Sequence, residues 1–470
     1  MVVLGAGPGG RAAALQAAKV GKRVAIVDEA EILGGACVAV GTLPSKAFRE
    51  SVYRWSLGSR GTLGQELEHP EEPGAGRSRP EMRRLLRRKD RVIDAESRVV
   101  RDQLQRNGVK ILSGRGRFAS PNELEIAPAG KAPEIVRGDV LVVAVGASPV
   151  TNPPLKVDGE FIHDSDTILG VAEVPARLIV VGAGVIGCEY ASIFLMAGTH
   201  VTLVDRRNEI LASVDREIVD HLIDRFEHYG MELALESDVD KVETGLAGAG
   251  VRLTLKDGRI LEADNVLAAQ FRKGNTEGLD LAKAGIEADP RGYLKVDPHF
   301  RTSVGHIYAV GDVIGIPALA STSFEQGRIA ICHAYSIGFQ REMPQHFPYG
   351  IYTIPEVSTV GLSEEELKKD GVEYVSGKAH YRELARGLIN GDRWGLLKML
   401  IHKRSLKVLG VHIVGDNAAD LIHIGQAALV FGADVNYFIR SVFNYPTLAE
   451  AYKTAAFHAF NRLHGTTRTE

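Results

Sequence analysis

Cysteine is nearly absent: Cys37, Cys188 and Cys332 are the only three in 470 residues, and no two stand close in sequence. So few and so scattered, they exclude a disulfide framework and a cysteine-rich metal cluster. They suit a reducing compartment, and a cytoplasmic protein is expected. No bound metal is expected either. Long apolar runs are missing too. Val140–Val145 is typical of those present and falls far short of the roughly 20 residues that span a bilayer. There is no excess of positive charge. With a net charge of −3, the chain offers no global field for nucleic acid or an anionic membrane. The apolar start, Met1-Val-Val-Leu-Gly-Ala-Gly-Pro-Gly-Gly, lacks a preceding basic segment and spaces its glycines as a phosphate loop, not as a signal peptide.

What is present is enough apolar sequence, 45% of the residues, to bury the cores of about two to four domains. Two distant segments repeat one design. Val2-Val-Leu4 runs into Gly5-Ala-Gly7-Pro-Gly9-Gly10, and Leu178-Ile-Val-Val181 runs into Gly182-Ala-Gly184-Val-Ile-Gly187. Each is an apolar strand, then GxGxxG, then a helical pattern. The first glycine permits a tight turn, the second lets backbone N–H groups approach a pyrophosphate, and the third lets helix and strand pack closely. A single GxGxxG is a weak signal. Here both copies lead into a second strand ending in an acid, Asp28 and Asp205, where a carboxylate can accept hydrogen bonds from ribose hydroxyls. Two dinucleotide sites are therefore expected.

Between the loops, Gly58–Pro80 is rich in Gly, Glu, Pro and Arg without apolar period and reads as a surface loop or frayed helix end. Helical spacing predicts a helix over Glu81–Asn107 with an exposed arginine face, and strands follow over Lys110–Val145. Ile307-Tyr-Ala-Val-Gly-Asp312 reads as a further buried strand. The C-terminal part mixes strands over Gly395–Val414 with helices at Ala418–Phe431 and Leu448–Leu463, and has no phosphate loop.

In order, the motifs are GAGPGG, GGACxxxxTxPSK, AVGASP, GAGVIGCEYA, YAVGDV and FNYPTLAEA. This series is similar to that of the pyridine nucleotide-disulfide oxidoreductases of class I, along essentially the whole chain. The resemblance implies an α/β architecture: two Rossmann-like domains, for FAD and NAD(P), plus a C-terminal α+β dimerisation domain. FAD would be held by residues 1–145 and 270–340, the nicotinamide nucleotide by 146–269, and the homodimer or higher homo-oligomer by 345–470. For FAD it implies Gly5, Gly7, Gly9, Gly10, Asp28, Glu29, Gly34, Gly35, Cys37, Lys46, Gly116, Gly146, Gly311 and Asp312. For NAD(P) it implies Gly182, Gly184, Gly187, Glu189, Asp205, Arg206 and Arg207, and Arg272 is a further cofactor-binding candidate. Lys46 would stand beside flavin N5 paired with Glu189, its charge favouring the anionic reduced ring.

Two departures from the disulfide-exchanging members define the expected chemistry. Their second redox cysteine is Thr42 here, opposite Cys37, and the acid/base histidine before the conserved-type Pro446 is Tyr445. Thiol exchange needs both a thiolate and a proton acceptor. The Cys-x-x-x-x-Thr variant with Phe443-Asn-Tyr-Pro-Thr447 is most similar to the transhydrogenases, enzymes that move hydride between NADPH and NAD through FAD in a ping-pong cycle, with Lys46, Glu189, Cys37 and Thr42 at the centre. A diaphorase or quinone reductase, and an inactive flavin-binding dimer, are the competing readings. Asp205-Arg206-Arg207 pairs an acid suited to the free ribose of NAD with guanidinium groups suited to the 2′-phosphate of NADP; a solvated loop is the alternative. Phe271 stands where the family has glycine, and Met1 falls inside the expected first strand, so a few residues upstream are expected to be missing.

Overall fold

The computed structural model describes residues 1–59, 79–246, 248, 250–339 and 342–465. The surface loop expected at Gly58–Pro80 lies outside the described residues except at its ends. Short apolar runs near the N-terminus become a parallel five-stranded sheet, in the order Ile307–Ala309, Leu141–Val143, Val2–Leu4, Ala25–Asp28 and Lys110–Ser113. Parallel strands covered on both faces are apolar throughout instead of alternating, and Val2–Leu4, Leu141–Val143 and Ile307–Ala309 are buried at every position. The helix Pro8–Lys19 packs beside the helix Ala320–Ala334 on this sheet. Ile307–Ala309 returns to the sheet only after the chain has built a second one.

That second sheet repeats the plan, with Glu232–Ala234, His200–Val204, Arg177–Val181, Asn265–Ala268 and Ile162–His163 all parallel. In both sheets the strand feeding the glycine loop is flanked on each side by a strand, so the loop opens at a switch point where a crevice forms at the strands' C-terminal ends. A two-stranded antiparallel ribbon, Ala147–Val150 with Phe271–Gly274, carries the chain out of and back into the first unit.

The C-terminal unit is an antiparallel sheet ordered Tyr349–Ile351, Val357–Gly361, Val408–Val414, Leu396–His402 and Tyr374–His380, backed by the helices Ala418–Val430 and Glu450–Leu463. The expected helix over 81–107 is Met82–Arg106; it buries Met82, Leu85, Ile93, Val100 and Leu104. The second and C-terminal units meet around Lys398. Its ammonium lies 2.8 Å from Asp215, 3.1 Å from Glu217 and 3.2 Å from Glu364. Lys398 and Asp215 are 1% and 0% exposed, a burial tolerable only because the charges are mutually paired. Among the described residues no helix is long and apolar enough to cross a membrane.

Candidate functional site

The two glycine loops have the same geometry. Gly5 and Gly182 take φ of +98° and +114°, and a side chain on either would overlap the carbonyl of Ala144 or Ala269. A Cβ on Gly10 or Gly187 would overlap the carbonyl of Gly5 or Gly182, the close helix–strand packing the third glycine permits. The middle glycines differ in kind. Nothing lies within 4 Å of a Cβ built on Gly184, and on Gly7 only the Gly35 Cα comes near, at 3.8 Å. Open space over each middle glycine lies beside a helix start, at Pro8 and Val185, with no side-chain cap. Uncapped helix amides and vacant space above a glycine form an anion cradle, so both loops fit the pyrophosphate of a dinucleotide. Gly9 also answers to packing, since a Cβ there would press on Val310 and on the Ser323 carbonyl.

Beside the first loop, Gly5, Asp28, Glu29 and Gly116 line a cleft of about 830 Å³ with Arg115, Asn275 and Gly278. Asp28 accepts from Ala6 N at 2.7 Å and Ala30 N at 2.9 Å. A carboxylate has about four acceptor positions, so Asp28 keeps capacity for a ribose. Burial pushes its carboxyl above the ordinary range against those two amides.

Asp205 occupies the equivalent place and differs. It accepts from Ala183 N at 2.7 Å, Arg207 N at 2.9 Å, and Arg207 Nε and Nη2 at 2.9 Å each. All four positions are filled. Burial opposes its charge, but the Arg207 guanidinium and the two amides hold its carboxyl below the ordinary range. In this arrangement Asp205 has no free acceptor position for a ribose, and the fork of Arg207 is turned onto Asp205. Arg206 is exposed and lies 5.9 Å from the centre of the Phe271 ring.

The segment expected to form the redox centre folds against the first loop. Gly34 and Gly35 have φ of +119° and +65°, and a Cβ on Gly35 would come within 2.7 Å of Gly7 Cα. Cys37 lies on the short helix Gly35–Ala39 and Thr42 at the start of the helix Thr42–Ser59. Burial pushes the Cys37 thiol up, and the Thr42 hydroxyl offsets this only in part. All three cysteines are free. One turn along the second helix, Lys46 Nζ meets Glu189 Oε2 at 2.7 Å, the partner that the resemblance implied. Glu189 is almost buried and its other oxygen accepts from Tyr352 N at 2.9 Å. Lys46 Nζ also lies 5.0 Å from the centre of the Tyr352 ring. Sequence reasoning missed Tyr352, which arrives from the C-terminal unit; a tyrosine in a stretch without glycine or charge spacing carries no local signal.

Asp312 follows Gly311, whose φ is +80°, at the end of the first sheet. Burial pushes its carboxyl up, and Arg272, 3.9 Å away, works against this. Arg272 donates to the Ala147 carbonyl, while its Nε is buried without a partner. Gly146 takes φ of +72° in the adjoining turn, with nothing within 4 Å of its Cβ position. An orphaned buried donor, an acid with acceptor capacity, two open glycine cradles and a large cleft on the Asp28 side fit the expected FAD and a second dinucleotide.

The family model described as pyridine nucleotide-disulphide oxidoreductase matches residues 1–327, and that family's dimerisation domain matches residues 347–456. The chain is 44% identical to the soluble pyridine nucleotide transhydrogenase of Mycobacterium tuberculosis, covering 98% of this chain and 97% of the relative. It is 39% identical to the protein of that name from Serratia proteamaculans, covering 98% of each. Among solved structures it resembles LpdA from Mycobacterium tuberculosis, with a TM-score of 0.87 at 29% identity over 97% of this chain and 98% of that one. The HOCl-induced flavoprotein disulfide reductase RclA from Escherichia coli shares the fold, with a TM-score of 0.86 at 23% identity, over 97% and 99% of the two chains.

Proposed function

The chain belongs to the pyridine nucleotide-disulphide oxidoreductase family, and from that membership we propose that it is a homodimeric FAD-dependent transhydrogenase moving hydride from NADPH to NAD. The family is FAD-dependent and uses nicotinamide nucleotides. The observation that carries the reading is the ion pair of Lys46 with Glu189 beside a segment that holds a single free thiol, Cys37, with Thr42 where a second would stand.

Bound FAD would supply a carrier that takes a hydride and returns it. The chain's own groups position and tune. Lys46, fixed by Glu189 and the Tyr352 ring, holds a positive charge that favours negative charge developing beside it. Asp312 and the unpaired Nε of Arg272 supply an acceptor and a donor to the FAD side of the site. The uncapped helix at Pro8 holds one pyrophosphate and that at Val185 the other. Cys37 remains a thiol and supplies no nucleophile. Because NADPH and NAD would share the Gly182–Gly187 crevice, the first nucleotide leaves before the second enters, a ping-pong order. Exposed Phe431, Val442 and Tyr445 in the C-terminal unit give a second copy an apolar face to cover.

The test is anaerobic reduction of thio-NAD by NADPH with no other acceptor, beside lipoamide and glutathione disulfide as substrates. Turnover of thio-NAD without disulfide reduction is expected; robust lipoamide reduction would refute the proposal.

A further inference from the structure

In the second sheet, Gly182–Gly184 rises from the central strand Arg177–Val181, Asp205 and Arg206 from its neighbour His200–Val204, and Ala269–Phe271 from the other neighbour, Asn265–Ala268. All three strands are parallel, so the three segments emerge at one edge. Two backbone bonds draw the outer segments onto the centre, Gly182 N to Val204 O at 2.8 Å and Ala269 N to Val181 O at 2.8 Å. The contact between Arg206 and the Phe271 ring, 5.9 Å from guanidinium carbon to ring centre, therefore joins the two flanks of the edge on either side of the strand that feeds the glycine loop. A dinucleotide at such a switch point lies across the same edge. Phe271 is 39% exposed and Arg206 is exposed, and among the described residues Arg206 has no carboxylate partner. Neither side chain is held by a core, so both are free to move apart.

We propose that Phe271 and Arg206 form a latch across the nicotinamide-nucleotide crevice that any entering dinucleotide must open, after which the released Arg206 engages the 2′-phosphate of NADP. The inference rests on the assignment of this crevice to NAD(P). Its thermodynamic signature is specific. A latch that must open lowers the affinity of both nucleotides by the fraction of molecules already open, so removing it helps both. Arg206, unlike Phe271, also offers a charge-assisted bond to a phosphate, so removing it helps NAD alone.

The experiment is calorimetric titration of NAD and NADP into the FAD-loaded enzyme and its Phe271→Leu, Arg206→Met and doubly substituted variants. An exposed cation–π contact predicts an NAD affinity gain of about two- to fivefold. The gain should be equal in both single variants and no larger in the double variant, because either substitution abolishes the same latch. NADP should bind more tightly to Phe271→Leu by the same factor and more weakly to Arg206→Met. Weaker NAD binding by Phe271→Leu, additive gains, or no gain would overturn the latch while leaving the crevice assignment intact. A parent enzyme that binds neither nucleotide would overturn the assignment and the latch together.

Discussion

Replacing Arg207 by alanine should turn the second nucleotide site toward NAD. Each oxygen of Asp205 now accepts one side-chain bond from Arg207, at 2.9 Å, beside one backbone bond. The substitution frees one position on each oxygen, the number needed by the 2′- and 3′-hydroxyls of a ribose. A hydrogen bond to a charged group contributes about 1.5–3 kcal/mol. After the water that the freed carboxylate would hold is displaced, a net gain of about 1–2 kcal/mol for NAD is expected, roughly five- to thirtyfold in affinity. NADP would bring its phosphate toward a carboxylate no longer neutralised. Two like charges about 5 Å apart near a protein surface repel by roughly 3 kcal/mol or less, so NADP should weaken. The ratio of the two affinities should move by roughly fivefold at least, and by about thirtyfold once the combined change reaches about 2 kcal/mol. Arg207→Lys, which keeps charge but not the fork, should fall between. Dissociation constants of both nucleotides for the FAD-loaded enzyme decide the matter. Unchanged or weaker NAD binding by Arg207→Ala would refute the claim that the fork closes Asp205.

Three further outcomes are expected. Lys46→Met leaves Glu189, 6% exposed, without its cation, and should lower the urea-derived stability by about 2–3 kcal/mol and the flavin potential with it; Glu189→Gln added to it should restore most of the stability but not the potential. Lys398→Met strands Asp215, which is fully buried, and should cost about 3–5 kcal/mol. In the parent, burial opposes the charges on Asp215, Glu217 and Glu364, but His412 with Lys398, Lys378 with Lys398, and Lys398 with Lys368 respectively hold the three carboxyls below their unfolded values of 3.8, 4.5 and 4.5. Their stabilisation is therefore complete above about pH 5 and lost as pH falls, and a flatter acid limb is expected in that variant. Asp416 runs oppositely: burial, then the nearby Asp392, push its carboxyl from 3.8 to about 6. The folded form binds the proton more tightly, so stability falls as pH rises from about 4 to 6. Asp416→Asn, which can still accept from Tyr53, should gain on the order of 1–3 kcal/mol at pH 7.5 and nothing at pH 3.5.

What the sequence could convey was local. Glycine spacing announced both loops because each glycine answers to a backbone constraint a few residues away: Gly10 to the Gly5 carbonyl, Gly187 to that of Gly182. Apolar periodicity located the helix Met82–Arg106 to within a residue at each end. The Lys46–Glu189 pair was reachable only through family resemblance, since 143 residues separate the partners. Other features depend on where units meet. Tyr352 joins Glu189 across 163 residues and Lys398 joins Asp215 across 183, and no periodicity links them. Gly9 carries a constraint that the motif does not convey, because a Cβ there would press on Val310 and on the neighbouring helix at Ser323.

The two acids at the ends of the second strands show most plainly how a shared motif can hide a difference in chemistry. Asp28 and Asp205 each receive the N–H of the alanine after the first loop glycine, Ala6 or Ala183, at 2.7 Å, so each carboxylate first serves to hold its loop in shape. Beyond that duty they diverge. Asp28 takes one more amide, from Ala30, and faces an open cleft, which suits a site that always holds a ribose without a 2′-phosphate. Asp205 is saturated because an arginine two residues on folds back over it. On the proposed reading, a site that takes both NAD and NADP cannot keep an exposed carboxylate, which would repel the phosphate, nor depend on one, which would exclude it. Neutralising the acid in place removes both biases while preserving the loop it supports. On the latch proposed above, discrimination then passes to the exposed Arg206, and a change in nucleotide preference needs no change in the fold.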